Sequence, residues 1–87
     1  MQWLNENLYD TYSLIGETAD GVVKLSLLHP NGEKIIRIKY MRQPDLDNAT
    51  SDDIKQHFSG IIAKIKAKSK EQLEIYILNR RGIDKRD

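Results

Sequence analysis

Residues 51–70, SDDIKQHFSGIIAKIKAKSK, are the stretch on which the reading of the fold turns. Ile54, Phe58, Ile61, Ile62 and Ile65 recur at spacings of three and four, which predicts one amphipathic helix with a single apolar stripe. Lys55, Lys64, Lys66 and Lys70 fall outside that stripe. Thr50 or Ser51 stands where an N-cap belongs, Asp52 and Asp53 fill the first turn and lysines the last, as the helix dipole favours. Gly60 costs roughly 1 kcal/mol in a helix interior relative to Ala. Its expected role is a close approach of helix to sheet beside Phe58 and Ile61.

Upstream of this helix the pattern changes to period two. Val23, Leu25 and Leu27 alternate with Lys24 and Ser26, and Ile36, Ile38 and Tyr40 alternate with Arg37 and Lys39. His29-Pro30-Asn31-Gly32-Glu33 between them is a turn signal, so Val22 to Met41 reads as a hairpin. Hydrophobic matching selects the register that opposes Leu27 to Ile36, Leu25 to Ile38 and Val23 to Tyr40 on one face. That register sets Lys24 against Lys39 on the other face, with Arg37 beside them, a mildly unfavourable pairing of like charges. Leu8 to Ile15 reads as an earlier strand ended by the turn-rich GETADG, residues 16–21. Met1 to Asn7 fits neither period.

Beyond the helix, Gln72 to Leu78 reads as a last strand, with Leu73, Ile75 and Ile77 on one side and Glu74, Tyr76 and Leu78 on the other. The expected fold is a single α+β domain over residues 1–79, with 80–87 a polar C-terminal tail. Its order is β-β-β-α-β, a four-stranded mixed sheet of order 4-1-2-3 with one helix on one face and a right-handed crossover. Phe58 and Ile61 are expected to pack on Leu25, Ile38 and Ile75.

Eighty-seven residues suffice for one domain, which buries roughly 60–65% of its unfolded surface. Stability on the order of 4–13 kcal/mol follows. Hydrophobic content of 39% with 31% charged residues fits an ordinary soluble protein rather than a disordered one. The absence of cysteine excludes disulfides and thiolate zinc sites, and two histidines give little for a metal. The N-terminus has no signal-peptide pattern, and no apolar run reaches the ~18 residues of a span. The expected location is cytoplasmic.

Net charge is only +1, but it is unevenly spread. Residues 1–49 hold five basic groups against seven acidic, net −2, and residues 50–87 hold nine against six, net +3. Such asymmetry can mark an anionic partner. The candidate set is Lys24, Arg37, Lys39, Lys64, Lys66, Lys68, Lys70, Arg80 and Arg81. Tyr76, Leu78 and Trp3 are the candidate interface residues, aromatic and apolar anchors for a protein partner or a second copy.

No motif names a chemistry. Asp45, Asp47, Asp52 and Asp53 fail the EF-hand pattern, since Thr50 stands where the loop needs Gly and Gln56 where it needs Glu. GETADG is neither a P-loop nor a dinucleotide fingerprint. His57 with Tyr76, Arg80 or Arg81 could make a metal-independent RNA-cleaving set, but neither histidine is coupled to a nucleophile. A basic helix on an anionic membrane would need the apolar stripe that the sheet requires. No catalytic residue, metal ligand or cofactor is therefore assigned. The expected function is a small non-enzymatic binding protein, a regulator, inhibitor or accessory subunit acting through a protein–protein surface. Nucleic-acid binding through the basic C-terminal half, with Arg37, Lys39 and Tyr40 of the preceding strand, is the alternative, and a small RNA-cleaving toxin stands third.

Overall fold

The structure, a computed structural model, describes residues 1–42 and 50–84, with side chains through Arg81. The loop expected over residues 43–49, with Asp45 and Asp47, and the last residues of the tail, 85–87, lie outside the described residues. Four strands come first: β1 (Gln2–Leu8), β2 (Tyr12–Ala19), β3 (Val22–Leu28) and β4 (Lys34–Arg42). Three helices follow: α1 (Ser51–His57), α2 (Ser59–Ala67) and α3 (Lys70–Asp84). The strands form an antiparallel meander in the order β1-β2-β3-β4, so the class is α+β. The expected parallel return strand, the 4-1-2-3 order and the single helix are all corrected.

The first correction concerns the N-terminal hairpin. Residues 1–7, which showed no period, are β1, and the strand placed at 8–15 straddles a turn. Tyr9 and Asp10 both take left-handed conformations, φ 59 and 53. No glycine announces that turn. It is held by the Asn7 side chain, which accepts from the Asp10 N–H at 2.9 Å, and by Thr11 N–H donating to the Leu8 carbonyl at 3.1 Å. β2 then runs through most of GETADG, and the turn narrows to Asp20 and Gly21, both at positive φ.

Gly16 looks like a turn residue in the sequence but sits inside β2. A Cβ there would come within 2.6 Å of the Trp3 indole. Trp3 is the extra residue of a bulge in β1, because Gln2 pairs with Glu17 while Leu4 pairs with Gly16. The bulge lays the indole across Gly16, and the missing side chain makes room for it.

The second correction concerns the β3–β4 register. Leu27 opposes Ile36 as expected, and Ser26 opposes Arg37, but Leu25 then meets Lys39 and Val23 meets Met41. Ile38 is the extra residue of a bulge. One residue added to β4 reverses its alternation, so Tyr40 leaves the core face and stands opposite Lys24. Ile36 and Ile38 stay buried, while Tyr40 is 50% exposed. The predicted Lys24–Lys39 opposition does not occur. A second irregularity falls between Leu27 and Leu28, where Lys34 rather than Ile35 opposes Leu28.

The third correction concerns residues 72–78, which are helix rather than strand. Ser69 and Gln72 form a capping box: the Ser69 hydroxyl accepts from the Gln72 N–H at 3.2 Å, and the Gln72 side chain accepts from the Ser69 N–H at 3.0 Å. Leu73 and Ile77, four apart, are buried, whereas Ile75 is 58% exposed and so does not pack under Phe58. α3 continues through Arg80 and Arg81 to Asp84, so the boundary drawn at residue 79 falls inside an element.

The stretch 51–67 is helical as expected but bends at Phe58, where φ −95 and ψ 5 interrupt it. Thr50 makes the N-terminal capping box with Asp53. Ile54, Phe58 and Ile65 are fully buried and Ile61 and Ile62 half-buried, so the stripe does face the core. The core lies on one side of the sheet, between Leu14, Val23, Leu25, Leu27, Ile36 and Ile38 and the buried residues of the three helices. Gly60 is not a point of close approach, since an added Cβ would meet nothing within 4 Å.

Candidate binding surfaces

With the helices on one side, nothing among the described residues covers the other side of the sheet. Strand pairing orders it into rungs that run from β1 to β4. One rung is Asn7, Ser13, Leu28 and Lys34; the next is Asn5, Ile15, Ser26 and Arg37. Then come Gln2, Glu17, Lys24 and Tyr40, and finally Ala19, Val22 and Arg42. Each rung therefore ends on β4 in a cation or an aromatic ring, and the first three begin on β1 in an amide. Glu17 is the acidic side chain within the rungs, with Asp20 and Glu33 in the flanking turns.

The bulge at Ile38 makes this arrangement. It sets Arg37 and Tyr40 on the same face opposite Ser26 and Lys24, and the Arg37 guanidinium lies 4.3 Å from the Tyr40 ring centre. Ile15 is only 8% exposed although it belongs to no part of the helix-side core. It floors a hollow of about 240 Å³ lined by Glu17, Lys24, Ser26, Leu28, Gly32 and Lys34. A neighbouring hollow of about 250 Å³ extends toward β1 along Gln2, Asn5 and Ser13, with His29 and Pro30 at its rim.

The sequence-derived cations divide between two sides of the molecule. Lys24, Arg37 and Tyr40 belong to the helix-free face, where Lys34 and Arg42 join them without having been singled out. Lys39 is turned to the helix side by the bulge, with its ammonium 5.3 Å from the Phe58 ring centre. Lys64 and Lys70 are exposed on the helical layer. Lys66 pairs with Glu6 at 3.5 Å, among the described residues the one ion pair within reach, and an exposed one of small energetic weight. Lys68 lies over the Tyr76 ring, and its carbonyl accepts the Tyr9 hydroxyl.

Arg80 is committed elsewhere. Its Nη2 donates to the carbonyls of Arg37 at 2.9 Å and Ile38 at 3.0 Å, holding the bulge. Two irregularities and this clamp work against the addition of a further strand at β4. Arg81 is exposed and acts on Tyr12, whose hydroxyl is pushed above the ordinary tyrosine range by burial and by Glu74, with Arg81 pulling the other way. Of the proposed RNA-cleaving set, then, Arg80 is bound to backbone. His57 stands edge-on to Phe58 with ring centres 5.6 Å apart.

Among the interface candidates, Trp3 is 3% exposed and offers no surface to a partner. Leu78 is 67% exposed beside Ile75 on α3, and Tyr76 is half-buried next to them. Among the described residues no cluster of three metal-ligating side chains occurs, and no helix is long and apolar enough to cross a membrane. No family model matches this chain, and neither a curated protein nor a solved structure does.

Proposed function

We propose that this protein is a non-enzymatic binding module that holds an anionic macromolecule on the helix-free face of its sheet. One observation carries the reading: the rungs of that face end along β4 in Lys34, Arg37, Tyr40 and Arg42, and Lys24 lies one strand in. Among the described residues no carboxylate stands within ion-pair distance of these cations. Like charges gathered on one surface without partners repel one another, and an anionic ligand relieves that repulsion. The sequence alone favoured the basic C-terminal half for such a ligand. There the lysines are spread over the helical layer, and Lys66 and Arg80 are engaged within the fold.

The test compares equal losses of charge at the two places. Retention on immobilised heparin, a sulfated polyanion, is measured for Arg37→Gln with Arg42→Gln and for Lys64→Gln with Lys66→Gln. The sheet-face pair is expected to elute at clearly lower salt than the helical pair. Equal shifts would mean that net charge alone is being read, and an unretained wild type would remove the reading.

A second reading rests on Ile75 and Leu78, neighbours on α3 at 58% and 67% exposure. They support a protein-binding surface, the function first expected from the sequence. Ile75→Lys with Leu78→Lys should abolish any association seen by sedimentation while leaving the melt unchanged.

A further inference from the structure

We infer that the anionic partner is single-stranded nucleic acid, with its phosphates along the β4 margin and its bases laid across the rungs toward β2 and β1. This rests on the sheet-face reading above and specifies its ligand.

The face is asymmetric from edge to edge. Lys34, Arg37 and Arg42 line the β4 margin, whereas the β1 margin carries the amides of Asn5 and Asn7. Between the margins Ile15 and Leu28 give the 240 Å³ hollow an apolar floor, with Ser26 and the opposed pair Glu17 and Lys24 around it. A nucleic-acid single strand has the same order in cross-section: charged backbone at one edge, flat apolar base faces in the middle, hydrogen-bonding base edges at the other. An extended acidic peptide does not match it, because successive side chains leave its backbone on opposite sides and place charge at both margins. A duplex hides its base faces in the stack and is read by an element entering a groove. The open face here is the sheet itself, with no helix on it among the described residues.

Tyr40 is the residue on which this distinction turns. Its ring is half exposed with Arg37 stacked 4.3 Å from its centre, so ring and guanidinium together form a stacking platform beside the cations that would hold phosphate. Bases stack on such platforms in proteins that bind single strands without sequence preference. The hollow is smaller than the roughly 300–1,000 Å³ of pockets that enclose a drug-sized molecule, which suits one flat ring and not a whole ligand.

The experiment is fluorescence anisotropy on the full chain at about 50 mM and about 200 mM salt, a span over which phosphate-based binding falls steeply. The probes are labelled oligothymidylate of about 12 nucleotides, within the ~4–16 of small single-strand sites, a labelled duplex of equal length, and labelled polyglutamate. Wild type should bind oligothymidylate most tightly. Tyr40→Ala should weaken that complex about tenfold, leave polyglutamate unaffected and leave thermal melting unchanged. Tyr40→Phe should restore the loss. Arg37→Gln should lower the slope of log affinity against log salt by about 0.7 per phosphate contact removed. Duplex or polyglutamate bound as tightly as oligothymidylate, or indifference to Tyr40→Ala, would overturn the inference and leave the anion-binding sheet face standing. Failure of all three probes to bind at the lower salt would overturn both.

Discussion

The indole of Trp3 stacks on the ring of Phe58 with centroids 5.2 Å apart and 26° between planes. The contact ties the bulge of β1 to the bend between α1 and α2, and it forms only because Gly16 leaves the indole room. Gly16→Ala would drive a Cβ to within 2.6 Å of ring atoms that are themselves backed by Phe58. The indole must move, at a cost of about 1–3 kcal/mol as for other overpacked cores. Tryptophan emission reports the outcome directly, since Trp3 is the only tryptophan. A red-shifted spectrum with a lowered melting temperature is expected, and an unchanged spectrum would contradict the packing.

Phe58 has no exposed surface and touches both layers. Phe58→Ala should cost about 3–5 kcal/mol. For a domain of this size each kcal/mol shifts the melting midpoint by roughly 4–8 °C. The expected drop is therefore well above ten degrees by circular dichroism. A melt within two degrees of wild type would show that the stripe of residues 54–65 is not core.

These two residues mark where the sequence was legible and where it was not. The apolar stripe around Phe58 and the Leu27–Ile36 pairing followed from periodicity, because burial on one face imposes it. Trp3 and Tyr40 did not, since each depends on a bulge, and one added residue inverts a strand's alternation without leaving a compositional mark. Residues 73–77 satisfy both periods: Leu73, Ile75 and Ile77 alternate, but Leu73 and Ile77 are also four apart. The capping box of Ser69 and Gln72 was the signal that decides for helix. For the candidate site, Lys24, Arg37 and Tyr40 were named from the sequence, but not Lys34 and Arg42, because the two irregularities of β4 decide which of its residues share the helix-free face.

Asp53 gives a pH dependence of known sign. The Thr50 N–H donates to its carboxylate at 3.0 Å, and this bond, helped by the Thr50 hydroxyl, holds the carboxyl below the usual aspartate range. A pKa depressed in the folded state adds stability above the unfolded value of about 3.9 and loses it as pH falls through the folded value. Asp53→Asn should therefore melt below wild type at neutral pH, and the gap should close as pH drops past 3.9 toward the folded value. A gap that stays constant across a series of melts from neutral to strongly acid pH would show that the capping carboxylate is not the cause.

Arg80 should behave as a structural residue. Arg80→Ala removes both N–H···O=C bonds to β4 and should cost about 1.5–3 kcal/mol, the range for hydrogen bonds from a charged donor. Lysine keeps the charge but brings its ammonium on a shorter side chain without the planar guanidinium that aims Nη2 at both carbonyls, so Arg80→Lys should recover only part of it. Amide exchange in β4 near Arg37 and Ile38 should quicken in both variants. If stability holds and only polyanion binding falls, Arg80 belongs with the ligand-binding cations.

The bulge at Ile38 is testable with two single substitutions, because the two registers of β4 exchange the fates of neighbouring residues. In the structure Ile38 is 6% exposed and Tyr40 50%. Ile38→Ala should then cost about 2–5 kcal/mol, and Tyr40→Ala should stay within about 0.5 kcal/mol, as exposed positions do. In the register without a bulge, Tyr40 would oppose Val23 inside the core, and its truncation would cost several kcal/mol, comparable to a buried phenylalanine. Denaturant midpoints for the two variants separate the cases without knowledge of any ligand. Cross-strand contacts by NMR give a second check: Lys24 opposite Tyr40 and Ser26 opposite Arg37 require the extra residue between them. Contacts from Val23 to Tyr40 and from Leu25 to Ile38 would return Tyr40 to the core, break up the Arg37–Tyr40 platform and remove the basis for stacking on this face.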